Sequence, residues 1–358
     1  MAVIEFGIIG AGWRTEFFSR IVKALPERFH ISGIMVRDEN KGKAFEDKWR
    51  IRTCTSMDKL LAIGNPSFII VSVPWATAPV MTRELVKRGM PVLSETPPAP
   101  DLEGLKELYG LVEKGARIQV AEQYHLQPLH AARIAVAASG KLGEISQVQT
   151  SVCHGYHAVS LIRKFLGVKF EKATISARVF DSPLISGPDR NGVISEEVTV
   201  SSKQVIAFVD FDGKMGMYDF TYDQYFSWVR SLRLLVRGNR GEIVDNKIKY
   251  LKDYKTPVEI DLLRQSSGEN GNLEGYYLKG ILAGDEWVYK NPMIPGRITD
   301  DEIAIATCLE KMYLYAKGGQ DFYSLAEAAQ DHYLSLMINK AAESGEKVKT
   351  ELQPWALG

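Results

Sequence analysis

Val3-Ile4-Glu5-Phe6-Gly7-Ile8-Ile9 runs into Gly10-Ala11-Gly12-Trp13-Arg14-Thr15, and then into Phe17, Phe18, Ile21, Val22 and Leu25 at helical spacing. A β-branched run, a glycine pair and an amphipathic stretch read as strand, tight turn and helix. The glycine pair begins like the dinucleotide fingerprint G-x-G-x-x-G. Its first glycine permits the turn, its second lets the backbone approach a pyrophosphate, and the helix N-terminus opposes the phosphate charge. Thr15 stands where the third glycine would be, which predicts a slightly wider spacing of helix and strand. Gly10, Gly12, Trp13 and Arg14 are the first candidates for holding a cofactor.

Outward from this turn the alternation continues. Phe29 to Val36 is a second apolar run, Lys43 to Trp49 a short helix, and Ser67 to Val73 a strand closed by Pro74. Thr82 to Arg88 is helical, Pro91 to Leu93 strand-like, and Leu102 to Lys114 a helix running into Gly115. Such spacing predicts parallel strands joined by crossovers, a doubly wound sheet ending near Val120 to Gln123. The residue that reads the adenosine ribose belongs about 20 positions on, at the end of the second strand. There Val36 takes the place of the acid that NAD-preferring chains usually carry. Arg37 suits a 2′-phosphate or a stack on adenine, whereas Asp38 reaches the ribose if the turn is one residue longer. The cofactor is NADP or NAD, with a slight lean to NADP.

After about residue 125 the texture changes. A helix at Pro128 to Ala138 is followed by strand-like runs at 145–153, 169–180, 194–211, 214–222, 230–237 and 242–251, mostly without helices between them. That is the mark of an antiparallel or mixed sheet. From Asp300 helical spacing returns, with Ile303, Ala306, Leu309, Met312 and Tyr313 on one stripe and a second helix at Leu325 to Ala342. The fold class is α/β: a Rossmann dinucleotide-binding domain over 1–123 and an α+β substrate-binding and oligomerisation domain with a large, mainly antiparallel sheet over 124–358.

Composition narrows the function. The 358 residues carry 44 basic and 44 acidic side chains, with 45% hydrophobic and 25% charged residues. This is an ordinary globular balance, and about two domains are expected because one core rarely grows past roughly 250 residues. Without a basic stripe there is no electrostatic term for nucleic acid, so none is expected as a partner. Cys54, Cys153 and Cys308 form no C-x-x-C pair, which predicts reduced thiols. No basic and apolar leader opens the chain and no window approaches a membrane span, so a cytoplasmic protein without a membrane partner is expected.

Together these motifs resemble the Gfo/Idh/MocA oxidoreductases. Phe68-Ile69-Ile70-Val71-Ser72-Val73-Pro74, Val92-Leu93-Ser94-Glu95-Thr96-Pro97, Gly140-Lys141-Leu142-Gly143, His154-Gly155-Tyr156-His157 and Phe165-Leu166-Gly167 fall in that family's order over roughly residues 1 to 170. The resemblance implies oxidation of a sugar or polyol hydroxyl, or reduction of the matching carbonyl, with NAD or NADP. It also implies a homodimer or homotetramer built on the second-domain sheet. Val73, Pro74, Glu95, Thr96 and Pro97 would line the nicotinamide, Tyr124, His125, Tyr156 and His157 the substrate.

The chain departs from the family where charge matters. Glu95-Thr96-Pro97 replaces Glu-Lys-Pro, Cys153 stands for the aspartate of the Asp-x-x-x-His pair, and Ser160 for an acid three residues after His157. Ala78 replaces a histidine, and Gln123-Tyr124-His125 the customary Asn-x-Arg. Removing hydride from a carbinol needs a group for the hydroxyl proton and a donor for the developing alkoxide. His157 is the surviving acid or base, Thr96 offers hydrogen bonds without charge, and Cys153 and His154 complete the catalytic candidates, with His154 and Tyr156 able to form a substitute relay. Lys164 is a distant source of a cation. Cys153, His154 and His157 lack the further ligands a metal needs, so no metal is predicted. The aromatic run Tyr218 to Trp228, with Arg230 and Arg233, serves sugar and anion recognition or sheet packing, and Gly187 to Gly192 reads as a covering loop. Two other readings stay open: a dinucleotide-binding sensor or partner protein without catalysis, and a lyase or hydrolase that uses retained NAD.

Overall fold

Ile4, Phe6, Ile8 and Ile9 are all buried, so strand β1 (Ile4–Ile9) is covered on both faces, as a near-continuous apolar run requires of a central parallel strand. The computed structural model describes residues 3–190, 192–271 and 275–357. After β1 come α1 (Trp13–Ala24), β2 (Phe29–Met35), α2 (Glu39–Trp49), β3 (Thr53–Cys54), α3 (Met57–Leu61), β4 (Ile69–Val71), α4 (Ala78–Lys87), β5 (Val92–Ser94), α5 (Leu102–Val112) and β6 (Ile118–Val120). The six strands form one parallel sheet in the order β3-β2-β1-β4-β5-β6, the doubly wound order expected from the alternation.

The chain packs as two units, the first comprising Met1–Pro128, Gln265–Gly280 and Lys290–Ala329. A late helix, α8 (Asp300–Ala316), therefore belongs to the first unit, where Arg20 pairs with Glu302 and Arg28 with Glu310. Its start is fixed by the capping box Thr299 and Glu302, with the Thr299 main-chain N–H donating to the Glu302 carboxylate at 2.9 Å. Buried Gln119 on β6 holds the next segment, accepting from the Phe322 and Tyr323 main-chain N–H groups at 3.0 Å each.

The second unit comprises Leu129–Arg264, Ile281–Tyr289 and Gln330–Gly358. Its elements are α6 (Pro128–Ala138), β7 (Ile145–Ser151), α7 (Gly155–Leu166), β8 (Thr174–Ile185), β9 (Thr199–Asp210), β10 (Met215–Thr221), β11 (Arg233–Gly238), β12 (Gly241–Val244), β13 (Lys247–Leu251), β14 (Pro257–Ser267), β15 (Tyr277–Ala283), β16 (Glu286–Lys290), α9 (Leu325–Ser344) and β17 (Val348–Lys349), some of them shared with the first unit at their ends. The 11-stranded sheet runs β16-β15-β14-β13-β12-β11-β7-β10-β9-β8-β17, antiparallel in most pairings but parallel between β7 and β10. A cross-strand row, Ile175, Val209, Gly216, Val148, Val236, Ile243 and Ile248, forms its buried face. The row one residue along, Phe208, Met217, Gln149, Leu235 and Val244, forms the open face, because side chains alternate with period two.

Two expectations need correcting. The 242–251 run is two strands, since Asp245 turns the chain at φ 53° between β12 and β13. The helix α7 interrupts what strand-like runs alone suggest. Its apolar residues Tyr156, Val159, Ile162 and Phe165 recur at helical spacing and stop at Gly167, which caps it in the left-handed region at φ 64°. His157, Ser160 and Arg163 lie on its polar stripe, and that stripe is buried too.

Arg163 on that stripe pairs with Asp331 of α9, both side chains only 3% exposed, and also donates to the Lys169 carbonyl. Losing one partner of such a pair strands a charge in the interior, typically costing about 3–5 kcal/mol. Asp331→Ala is expected to lower unfolding stability by that order in a guanidinium titration. The double change Arg163→Met with Asp331→Leu should recover part of the loss.

Candidate functional site

In the first unit the glycine turn is built as its sequence demands. Gly10 adopts φ +108°, and a Cβ there would lie 2.0 Å from the Ser72 carbonyl oxygen, so only glycine fits where the turn crosses the end of β4. Gly12 is the N-cap of α1 without a side-chain cap, and a Cβ on it would meet nothing within 4 Å. The first turn of α1 thus presents main-chain N–H groups beside open space, which suits a phosphate. Thr15 is buried, and its hydroxyl donates to the Gly10 carbonyl at 2.9 Å, a use of the third-glycine position the fingerprint does not foresee. Trp13 is 51% exposed, its ring edge-on to Phe17 at 5.4 Å. At the end of β2, Val36 is buried and Arg37 is exposed, making no hydrogen bond or ion pair among the described residues. Asp38 spends one carboxylate oxygen capping α2, accepting from the Asn40 and Lys41 N–H groups at 2.9 and 3.2 Å.

Arg14 turns inward. Its guanidinium pairs with Glu95 at 3.4 Å and with Asp301 of α8 at 3.1 Å. Burial opposes its charge, yet the two carboxylates hold its pKa above the ordinary value. Burial pushes the Glu95 carboxyl up, Arg14 pulls it down, and Asp301 and Glu122 push it up again. Burial also raises the Cys308 thiol, with Glu95 and Glu122 adding to the effect. Thr96 follows Glu95 and precedes Pro97 through a cis peptide. Val73 and Pro74 close β4, and Val73 is the side chain nearest Gly10 after the Ser72 carbonyl. Tyr124 and His125 sit on a 3₁₀ turn, where the Tyr124 N–H donates to Glu122 at 3.0 Å and the His125 ring lies 5.1 Å from Tyr323. Asp301, Glu122 and Cys308 are members of this cluster that motif reading misses. The Thr299-x-x-Glu302 cap marks the helix start, but nothing local says what Asp301 meets.

In the second unit, β7 ends and Cys153 follows fully buried, with His154 as the N-cap of α7. The structure gathers His154, Tyr156 and His157: ring centroids are 5.2 Å apart for His154 and Tyr156, 5.1 Å for His154 and His157, and 4.5 Å for Tyr156 and His157. Tyr222 stacks on His154 at 5.1 Å, and Tyr225 Oη lies 2.7 Å from His154 Nδ1. Tyr218 Oη accepts the Gly155 N–H at 3.2 Å, and burial raises both the Tyr218 and Tyr222 phenols. Part of the aromatic run therefore joins this cluster, while Trp228 is exposed and Arg233 is paired with Asp219 at 2.8 Å. His332 of α9, which no motif marks, lies 5.6 Å from Tyr156. The Ser160 hydroxyl bonds to the His157 carbonyl, and Lys164 lies seven residues beyond His157, about 10 Å along the helix axis. Of the loop 187–192, Asn191 is outside the described residues; Asp189 and Gly192 bond across it. Among the described residues no group of three His, Cys, Asp or Glu is placed to hold a metal, and no helix is long and apolar enough to cross a membrane.

Residues 4–123 match the oxidoreductase family with an NAD-binding Rossmann fold known as Gfo/Idh/MocA. The match covers about a third of the chain. Two uncharacterized oxidoreductases of Schizosaccharomyces pombe are 25% and 26% identical to the chain over 159 and 154 residues, in each case 42% of both proteins, so the match spans less than half of either. Levoglucosan dehydrogenase in complex with NADH shares the fold with a TM-score of 0.70 at 14% identity, over 98% of this chain and 100% of that one. An oxidoreductase from Agrobacterium radiobacter, solved with NAD+, L-tartaric acid and magnesium, gives 0.67 at 18% identity over 96% and 98%. The WlbA dehydrogenase from Bordetella pertussis, solved with NADH and UDP-GlcNAcA, gives 0.64 at 16% over 98% and 100%.

Burial holds the His154 imidazole down to about 3, with His157 and Arg190 adding to the effect, and burial holds His130 down to about 3 as well. In the unfolded chain both take up a proton below the ordinary 6.5, while the folded chain resists until about 3. Their contribution to stability is therefore complete above about 6.5 and is lost as pH falls toward 3. The denaturation midpoint is expected to drop across that window, and His154→Gln should flatten the slope by one proton's share.

Proposed function

We propose that the chain is an NAD(P)-dependent oxidoreductase acting on the CH–OH group of a sugar-like or polyol-like small molecule, or on the matching carbonyl. The observation that carries this reading is the turn from β1 through Gly10 and Gly12 into α1, with its uncapped N–H groups and the open space beside Gly12. The sugar-like substrate class is supported by solved structures of the same fold, described as levoglucosan dehydrogenase and as WlbA dehydrogenase with UDP-GlcNAcA. When bound, the nicotinamide supplies or accepts hydride. The chain's part is to hold the dinucleotide and to handle the hydroxyl proton. His157 takes or returns that proton, Tyr156, Tyr124 and His125 contact the substrate, and Thr96 hydrogen-bonds where the family's lysine would bring charge. Arg37, exposed while Asp38 is engaged at its helix, favours NADP by gripping a 2′-phosphate. Phe208, Met217, Leu235 and Val244 on the open sheet face support assembly into a homodimer or homotetramer. A second reading, a dinucleotide-binding sensor or partner without turnover, is favoured by Thr96 and Cys153 standing where charged residues would be.

The test is a fluorescence titration of nucleotide-stripped protein with NADPH and NADH, followed by a turnover screen of aldoses, inositols and their keto forms. Tight binding with substrate-dependent turnover is the expected outcome, and binding of neither dinucleotide overturns the reading. Arg37→Ala should cost about tenfold or more in NADPH affinity, the worth of one charge-assisted contact, and leave NADH unchanged. Thr96→Lys separates the two readings: an enzyme adapted to threonine loses its native activity, whereas a protein without turnover gains dehydrogenase activity or none.

A further inference from the structure

Two contacts converge on the hydroxyl of Tyr225. The main-chain N–H of His154 donates to it at 3.1 Å, and His154 Nδ1 lies 2.7 Å away. The first contact occupies a lone pair on the phenol oxygen. The second has the short separation usual for an O–H donor rather than for an N–H donor. On the far side of the ring, Nε2 lies 3.4 Å from Tyr156 Oη, and Tyr222 stacks against the ring face at an angle of 26°.

We propose that Tyr225 is a positioning residue that donates its hydroxyl proton to His154 Nδ1, fixes the imidazole as the neutral Nε2–H tautomer, and aims that N–H at Tyr156. The main-chain contact and the relay then run in one direction, from the His154 N–H to Tyr225, from Tyr225 to the ring, and from the ring to Tyr156. Tyr156 Oη accepts from His154 at the end of this relay. This inference rests on the proposed oxidoreductase reading only for its use: it sets an uncharged ring of fixed tautomer 5.1 Å from the ring of His157, the proposed acid or base.

The surroundings favour the neutral ring. Tyr156 and His157 face it from α7, Tyr222 and Tyr225 from the turn after β10, and the charge of Arg190 reaches it from the β8–β9 connection. Burial, a second imidazole and a guanidinium all oppose an imidazolium there. The tyrosine contact decides which nitrogen carries the single proton.

The test is long-range ¹H–¹⁵N spectroscopy of the full chain labelled with ¹⁵N-histidine, with His154→Gln assigning one of the six histidines. The expected result is a protonated-type Nε2 shift and an unprotonated-type Nδ1 shift for His154, constant from pH 5 to 8. In Tyr225→Phe, which loses only the oxygen, the two shifts should move toward each other as the tautomers mix. An Nδ1–H tautomer, an imidazolium in that range, or an unchanged tautomer in a natively folded Tyr225→Phe protein would overturn the proposal. Should that variant fail to fold, the spectra of the unaltered chain decide. The readout needs neither cofactor nor turnover, so it fails independently of the proposed function, which the dinucleotide titration tests.

Discussion

Helix α7 lies so close on the second sheet that Gly216 has no room for a side chain: a Cβ there would sit 2.6 Å from Ile162. Ile162 is thereby seated on the buried row of the sheet, and the last turn of the helix is held to α9 by the Arg163–Asp331 pair. At the other end Gly155 has φ +44° and faces Ser335 of the same α9. A helix fixed at both ends cannot rotate without unseating a buried charge, so the side chains at its N-terminus inherit a defined geometry. His154, Tyr156 and His157 are mounted there. Their chemistry depends on a packing contact that involves none of them.

The first unit solves a different problem with one guanidinium. Asp301 and Glu122 both lie within electrostatic reach of Glu95, and Arg14 pairs with Glu95 and Asp301. Burial disfavours charge on Glu95 and on Cys308, which is why the Glu95 carboxyl and the Cys308 thiol are both raised. Arg14 begins the helix that the dinucleotide motif defines, yet its side chain serves the interior. The motif's main-chain atoms and its side chains thus do separate work: the former border open space at Gly12, and the Arg14 side chain pairs with the carboxylates of Glu95 and Asp301. Thr96 and His154 follow a shared principle. Each offers hydrogen bonds without charge, Thr96 through its hydroxyl and His154 through an imidazole that burial keeps neutral.

Much of this was legible in the chain itself, wherever a residue's own sterics or a short-range hydrogen bond settles the matter. Gly10 announced a tight turn, and the apolar runs of β1, β4 and β5 announced strands of a parallel sheet. The return of helix at Asp300 was legible from apolar spacing, whereas the Asp38 cap was not: the helix read from Lys43 begins at Glu39, where Asp38 caps it through contacts two or three residues on. His154, Tyr156 and His157 are neighbours in sequence, but helical spacing does not gather them: Tyr156 and His157 lie on different stripes, and the rings meet because His154 caps the helix above both. Helix α7 was harder to see because its polar stripe is buried along with its apolar one, so the usual contrast between a wet and a dry face is missing.

Other features belong to the tertiary structure. Arg14 meets Asp301 across 287 positions of sequence, and Tyr156 meets His332 through a helix that joins the unit late in the chain. The aromatic run around Tyr222 and Tyr225 reads equally well as sheet packing or as a binding wall until β10 is seen lying beside β7, which delivers Tyr225 to the end of α7. The residues alone determined the local backbone and the chemical repertoire, because steric limits and capping act over a few bonds. Which side chains meet, and with what charge, was decided only by the stacking of layers, because burial and long-range pairing are properties of the packed chain.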